Sequence, residues 1–497
     1  MTAKRTYQRH RAAIALLLLS SAYSLPAGAE TLQGALAKAY ASNPTLTGAR
    51  AGQRATDENV PIQKAGGRPS ADVQGSYSES LLKPTISFTS PQRTVNAQAT
   101  LNVPIYSGGS VRNSVKAAEV RVEAGQAGLR GTEASIFSQT VAAYMDVIRD
   151  SAIVSLNQAN VNVLEVNLQA TNDRFEVGDL TRTDVAQSES RLALARSDLQ
   201  TAQANLITSR ENYIALVGEA PDALEPPPQL PGLPADPSIA VRVALNDNPD
   251  ILAAKKQRDA RRYDVKAARG TVLPTISAFT QAGYTNYLHT LGGTALDADG
   301  NSIEGPQVNK QAAAGVRLTI PLYQGGRPAA QVRQNQALES QAIEQEIETE
   351  RNVIAQTRAA YASWQASLQT IQSSRKAVDA TGLSLEGVRA ENSVGSRTIL
   401  DILNAEQEAL IARVELVSAQ RNAYVAGFTL LAAMGHAEAK DLGLESGTLY
   451  DPMVNYDRVE GKWFDWDWGA APAPVATRTV DTPAQDAKVD PATARQP

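Results

Sequence analysis

The feature that most constrains this 497-residue sequence is an internal duplication. The segment 35–44 returns in related form at 240–249, where the closing Asn-Pro is kept, and the offset between the two is 205 residues. The motif at 101–109 returns at 318–326 with an offset of 217, so twelve extra residues fall in the loop around 287–310. A repeat that covers most of a chain predicts one structural unit built twice. We place the two units at 30–220 and 238–437.

Each unit begins with two runs in which apolar and polar residues alternate. The runs lie at about 70–82 and 93–104 in the first unit, and at about 275–287 and 311–321 in the second. Runs of roughly ten residues with this alternation are typical of transmembrane barrel strands, with apolar side chains toward lipid and polar ones toward a lumen. The edge of a soluble β-sandwich would show the same pattern.

Proline is absent from the stretch that follows each pair of runs. None of the 25 prolines falls within 105–220 or 329–451, where apolar residues recur every seven positions instead. Sustained heptads indicate coiled-coil seams, and each seam is interrupted at a glycine, Gly178 or Gly395. Each unit therefore predicts a helical hairpin, at about 108–218 and 327–435. A first arm of roughly 65 residues would be about 100 Å long, so it must project from any compact domain.

The N-terminus predicts export. A basic stretch precedes the apolar run 14–19, and Ala27-Gly28-Ala29 forms a small-residue cleavage site, so we expect a signal peptide at 1–29 that is cut before Glu30. The basic residues are Lys4, Arg5, Arg9 and Arg11. Without these four cations, 43 basic residues face 52 acidic ones, and a net charge of −9 argues against a nucleic-acid partner. The chain has no cysteine, so neither disulfides nor a thiol-linked lipid can hold it.

The remaining segments are connectors and a tail. Residues 221–237 form a proline-rich linker between the units. Residues 438–468 form a C-terminal segment with three tryptophans, which could pack on the helical body or lie at a surface. Beyond it, 469–497 is rich in Ala, Pro, Thr and Asp and predicts a disordered tail.

Nothing in the sequence predicts catalysis, a metal or a cofactor. The mature chain keeps two histidines, His289 and His436, which we interpret as surface residues, and no nucleophile or phosphate-binding motif is present. Four strands cannot close a barrel, and an open sheet edge is not viable in lipid. Two chains could just close eight strands with little room inside, whereas three chains would give twelve strands and a lumen. The predicted fold class is thus an α+β membrane protein.

The duplicated strand–strand–helix–helix unit, the signal peptide and two tip motifs resemble the TolC family of outer-membrane efflux and type I secretion channels. The tip motifs lie at 174–185 and 393–403. The resemblance implies a homotrimer with a twelve-stranded barrel in the outer-membrane lipid and a helical tunnel in the periplasm. It also implies a passive duct for small toxic compounds or secreted proteins. A periplasmic adaptor (membrane fusion protein) and an inner-membrane transporter of the ABC or RND type would be its partners.

The resemblance also assigns site residues. Bonds between the hairpin tips keep family members closed and break as the tip untwists; here Arg397 would pair with Asp184 and Thr183, while Asn392 replaces a tyrosine. At the constriction Asp401 keeps one aspartate ring and Asn404 replaces the other. The junction of barrel and tunnel would lie at Pro104, Gly108, Gly109, Pro321, Gly325 and Gly326, because proline ends a ladder and glycine permits a turn.

Two other protein classes stay open on sequence grounds. A periplasmic adaptor also has coiled-coil hairpins, but it would have one hairpin flanked by lipoyl-like β segments. An exported enzyme on a helical stalk would need a catalytic constellation, which the sequence does not offer.

Overall fold

The computed structural model describes residues 30–82, 91–291, 294–296, 298–300, 302–444 and 449–489. The predicted signal peptide lies outside the described residues. Within them, no helix is both long enough and apolar enough to cross a membrane.

The two units are built from elements in the same general order, helices first, then strands, then a helical hairpin. The first unit contains α1 (Leu32–Ser42), α2 (Pro44–Asp57), α3 (Asn59–Ala65), β1 (Ser70–Glu79), β2 (Arg93–Ser107), α4 (Ser110–Glu176) and α5 (Arg182–Val217). The second contains α6 (Pro237–Asp247), α7 (Pro249–Gly270), β3 (Thr275–Asn286), β4 (Thr294–Leu296), β5 (Ser302–Glu304), β6 (Val308–Thr319), α8 (Arg327–Ser393) and α9 (Ile399–Met434). A short helix, α10 (Pro452–Val459), follows.

The hairpins match residue for residue. The helices α4 and α8 each have 67 residues, and α5 and α9 each have 36. Each long helix begins after a glycine in the left-handed region, Gly109 or Gly326, and each short helix ends at another, Gly218 or Gly435. Glycine adopts positive φ without the steric cost of a Cβ, which explains why these positions are kept in both units.

The duplicated Asn-Pro motif ties the start of one helix to the end of a hairpin. Asn43 caps α2 with its side-chain oxygen, and its Nδ2 donates to the carbonyl of Leu216 at 2.9 Å. Asn248 caps α7 in the same way and donates to the carbonyl of Ala433 at 2.9 Å. Proline follows at the first helical position, where its missing N–H costs nothing. The motif therefore fixes where the returning arm of each hairpin meets the body.

The units differ between this motif and the first strand. In the first unit the helix is interrupted at Glu58 and divided into α2 and α3, whereas α7 runs without a break. Pro61 lies in the first turn of α3 and the equivalent position is Lys266. A proline cannot donate to the carbonyl one turn earlier, so it forces a new helix start.

The strands form one antiparallel sheet in the order β1-β2-β3-β6. The strand β2 continues through Pro104 to Ser107, with a bulge between Pro104 and Tyr106. The prediction that Pro104 ends the ladder is therefore wrong: Pro104 lies opposite Ser277, and the bulge leaves Ile105 as the unpaired residue before the ladder resumes. The corresponding strand β6 does end before Pro321. The twelve-residue insertion contains the small β4-β5 hairpin.

The main core lies where the first hairpin meets α1, and it joins residues of α4, α5 and α9. Its fully buried aromatic members include Phe137, Tyr144, Tyr213 and Phe428. The proline-rich linker packs against the helices. Its Leu230 contacts this core, and its Leu233 contacts a smaller cluster around α8 and α9.

The C-terminal tail was predicted to be disordered, but the part that the structure describes, up to residue 489, contacts the helices. Arg210 on α5 donates to the carbonyls of Asp486 at 2.6 Å and Lys488 at 2.7 Å. Val489 packs on the main core. Composition alone could not predict this path, because the groups that hold the tail lie on another element.

Candidate functional site

The sheet is amphipathic, and its register separates the two faces. One row across the four strands consists of Val73, Ala99, Ala282 and Ala312. The next residue along lies on the opposite face, where the hydroxyl of Thr100 donates to Asp72 at 2.5 Å and that of Thr285 donates to Asn96 at 2.9 Å. A sheet with one apolar and one hydrogen-bonded polar face suits a wall between lipid and water.

The junction between sheet and hairpin is closely packed in the first unit and uncrowded in the second. A Cβ on Gly108 would lie 2.3 Å from the carbonyl oxygen of Gly270, and one on Gly270 would lie 2.7 Å from that of Gly108. The equivalent Gly325 and its neighbour Gly326 have positive φ, but no atom lies within 4 Å of such a Cβ. Glycine is thus required at 108 for close backbone contact and at 325 for its conformation alone.

Each hairpin tip is closed by a capping box that the sequence analysis overlooked. The hydroxyl of Thr181 donates to Asp184 at 2.7 Å and also accepts from the backbone N–H of Asp184. Thr398 and Asp401 repeat this geometry at 2.7 Å in the second unit. The threonine hydrogen bonds hold the pKa of both aspartates below its usual value. The signal was present, since Thr-x-x-Asp stands at both sites.

The expected pairing of Arg397 with Asp184 and Thr183 is not formed within one chain. The Nε of Arg397 donates to Glu391 of its own tip at 2.7 Å, and its carbonyl accepts from Asn392 at 2.7 Å. Asp184 is engaged by its cap, and Thr183 is exposed in the first turn of α5. Within one chain Arg397 thus finds its partners on its own tip, and its pairing with Asp184 and Thr183 stays a prediction for the assembled tunnel.

The first tip has its own ion pair, between Arg174 and Asp179 at 2.8 Å. With the 217-residue offset, Arg174 corresponds to Glu391. The two tips therefore use opposite charges at the same helical position.

A hydrogen-bonded contact between the hairpins near the tips is made by Arg191, which the sequence did not predict. This residue of α5 donates to Asn404 at 2.7 Å and also to Gln407, both on α9. Farther from the tip, Arg421 of α9 makes a two-bond ion pair with Asp146 of α4, at 2.8 and 3.1 Å. No sequence signal identifies Arg191, because its partners belong to a helix more than 200 residues away.

The histidines offer no site. His436 is half-buried, and its Nε2 lies 3.1 Å from a carboxylate oxygen of Asp247. His289 lies in a loop with a φ of 56°. Among the residues that the structure describes between 30 and 489, no group of three or more His, Asp or Glu side chains could hold a metal ion.

Comparison with known proteins gives this geometry its class. The family model described as outer membrane efflux protein matches residues 35–219 and 240–436, which are the two units. BepC of Brucella suis is 38% identical over 436 residues, covering 88% of this chain and 91% of BepC. TolC of Escherichia coli is 26% identical over 328 residues, covering 64% of this chain and 65% of TolC.

Solved structures share the fold. The CmeC outer-membrane channel of Campylobacter jejuni has a TM-score of 0.71 at 16% identity, over 86% of this chain and 89% of CmeC. CusC has a TM-score of 0.70 at 18% identity, over 81% of this chain and 92% of CusC.

The fold and the amphipathic sheet thus define a channel protein of the outer membrane. The chain belongs to the outer membrane efflux protein family, and it acts as an exit duct that continues from the outer membrane into the periplasm. The resemblance to the TolC family is confirmed.

Proposed function

We propose that three copies of the chain form one duct, with a twelve-stranded barrel continued by a tunnel of six hairpins. The observation that carries this proposal is the state of the sheet edges. In the described part of the chain, β1 pairs only with β2, and β6 pairs only with β3. In lipid, each backbone N–H or C=O group without a hydrogen bond costs roughly several kcal/mol. Both edge strands, β1 and β6, must therefore pair with other strands.

The internal repeat predicts how these edges would pair. The β1–β2 and β3–β6 registers are related by the repeat offsets of 205 and 217 residues: Val73 faces Ala99, and the equivalent Ala278 faces Val316. Applying the same offsets to the β2–β3 pair of Ala99 and Ala282 places Val316 opposite Tyr77 of the partner subunit. Both residues lie on the apolar face.

Thiol cross-linking tests the closure, because the natural chain has no cysteine. We expect Val316→Cys/Tyr77→Cys to yield covalent dimers and trimers with a short thiol-specific reagent in outer membranes. The matched control Val316→Cys/Ser76→Cys moves one thiol to the polar face, since successive residues of a strand point to opposite faces, and should not cross-link. A ladder that stops at the dimer would contradict the trimer, and equal yields in both variants would contradict the register.

We propose that the duct is passive and that a periplasmic adaptor and an inner-membrane transporter of the ABC or RND type drive transport. This chain offers no nucleotide-binding motif, and we assign it no enzymatic activity. Relatives differ in their named roles: CzcC in cobalt-zinc-cadmium resistance, AprF in alkaline protease secretion. The partner, not the duct, would therefore select between small toxic compounds and secreted proteins.

We place the gate between the two hairpins at Arg191. Its donors hold Asn404 and Gln407, so separating the tips breaks charge-assisted hydrogen bonds, each typically worth about 1.5–3 kcal/mol. The predicted pairing of Arg397 with Asp184 would need Arg397 to leave Glu391, and it remains a proposal for the assembled tunnel. Asp401 uses one carboxylate oxygen in its cap, and three copies would present a ring of negative charge at the constriction.

Conductance in planar bilayers tests the gate. We expect Arg191→Ala to raise single-channel conductance. Arg196→Ala is the matched control, because Arg196 lies on the same helix and pairs with Glu165 of its own hairpin at 2.7 Å. Equal conductance of the two variants would remove Arg191 from the gate.

A further inference from the structure

From α10 onward the chain runs beside the first unit toward the helical end of the sheet. Three contacts mark the path: Asn455 donates to Asp57 at 2.7 Å, Lys64 donates to the carbonyl of Glu460 at 3.2 Å, and Arg68 donates to that of Lys462 at 2.5 Å. Since α3 ends at Ala65 and β1 begins at Ser70, residue 462 lies level with the point where helix gives way to strand.

At that level the chain exposes four aromatic rings within six residues, which we call the aromatic segment (463–468). The exposed fractions of Trp463, Phe464, Trp466 and Trp468 are 57%, 80%, 84% and 83%. A contiguous apolar patch of this kind marks a binding surface, because aromatic side chains each bury about 150–250 Å² when covered.

Several polar groups of the segment have partners within it or on α3 and the loop that follows. The indole of Trp468 donates to the carbonyl of Asp465 at 2.8 Å, and Lys462 pairs with Asp467 at 2.9 Å. The guanidinium of Arg68 lies 4.6 Å from the ring centre of Trp463. The backbone is thus held in place while the rings stay uncovered.

The apolar face of the sheet ends at the same level. The register aligns Tyr106, Ile276 and Leu318 in one row at the helical end of that face. Because the sheet is the part of this outer-membrane duct that faces lipid, the row marks the periplasmic boundary of the hydrocarbon. Tryptophan rings prefer this boundary, where the apolar ring and the polar N–H are both satisfied.

We infer that the aromatic segment is a membrane-surface anchor that inserts into the headgroup region of the periplasmic leaflet of the outer membrane. The occupant is the phospholipid surface itself, reached by continuity with the lipid-facing side of the sheet. The inference rests on the sheet crossing the outer membrane and does not depend on the number of subunits.

Tryptophan fluorescence tests the anchor in the full-length protein reconstituted into phosphatidylethanolamine/phosphatidylglycerol vesicles. The chain has four tryptophans, and the fourth, Trp364, packs against Tyr361 in a cluster formed by the second hairpin and the linker. We expect lipids brominated near the headgroup to quench most of the emission, and lipids brominated near the chain ends to quench less. The triple variant Trp463→Phe/Trp466→Phe/Trp468→Phe keeps the aromatic character and should lose this quenching, because only Trp364 then emits.

Channel conductance of the same vesicles reports insertion separately, so failure of the duct and failure of the anchor are distinguishable. Conducting vesicles without bromolipid quenching would overturn the anchor. Loss of the oligomer in Trp466→Ala/Trp468→Ala, without quenching in the parent, would assign the segment to a subunit interface instead. If the tryptophans become shielded from solvent only when an adaptor protein is added, the aromatic segment binds that protein. This result would equally overturn the lipid anchor.

Discussion

The long helices α4 and α8 have equal lengths and equivalent places in the two units, but they are buried to very different extents. In α4 twenty side chains are buried, and in α8 only seven. On α4, Gln126 and Arg130 contact the C-terminal segment, Arg130 through an ion pair with Glu438. The equivalent residues of α8 are Ile343 and Ile347, which are apolar and exposed.

This difference in burial indicates which helix surfaces are covered by other parts of the same chain. The first hairpin carries polar residues where its own chain covers it, while the second carries isoleucines where nothing in the described chain does. Exposed apolar residues at heptad spacing on a long helix indicate a seam that another helix covers. In the proposed trimer, we therefore expect that face of α8 to contact a neighbouring subunit.

Charged substitutions on the exposed isoleucine face of α8 should have the largest effect on oligomer stability. We expect Ile343→Asp/Ile347→Asp to abolish the heat-resistant oligomer on gels, because two buried, unpaired carboxylates would separate the subunits. Gln345→Asp lies on the other side of the helix and serves as the control. A stable oligomer in the double variant would show that α8 faces water.

Core truncation compares the two hairpins directly. Phe137→Ala removes a fully buried ring of α4, and should lower the free energy of unfolding by about 3–5 kcal/mol. Ile354→Ala, at the equivalent position of α8, truncates a partly exposed side chain and should cost less. Urea unfolding in detergent, followed by circular dichroism, measures both. An equal loss would mean that the second hairpin has a core as complete as the first.

The two tips carry opposite charges at equivalent positions, Arg174 and Glu391. Changing the charges of the second tip should have a smaller effect, which is on channel opening. Arg397→Glu places two negative side chains together and should increase channel opening in bilayers. Combining it with Glu391→Arg restores an ion pair and should restore the parent conductance. The idea fails if the double variant conducts like the single one, since the contact with Glu391 would then be irrelevant to closure.

The capping boxes predict the smallest effect, a pH dependence that both tips share. The pKa of Asp184 and that of Asp401 are lowered by threonine hydrogen bonds in the fold, so their stabilisation is present above the unfolded value and is lost as pH falls through the folded one. Conductance should stay level from neutral pH downward and rise only in strong acid, below about pH 4. Thr181→Val/Thr398→Val should flatten that rise. A transition near neutral pH would point to other groups.

Several features followed from the sequence because local chemistry dictates them. The alternation in the strands, the proline-free heptads and the tip glycines Gly178 and Gly395 each have a cause within a few residues, and the matched Asn-Pro motifs at 43–44 and 248–249 defined the repeat. The hairpin lengths and the family follow from these patterns.

Only the tertiary structure decided which groups meet. Arg191 donates to Asn404, Arg421 donates to Asp146, and the tail contacts Arg210. The path of β2 through Pro104 depends likewise on a bulge opposite β3. Partners such as these are set by the packing of helices and strands far apart in the chain, where a shift of a few ångströms exchanges one hydrogen bond for another. The periodicity of the sequence determines the secondary structure of the two units. It carries no information on how the side chains of one unit contact the other unit.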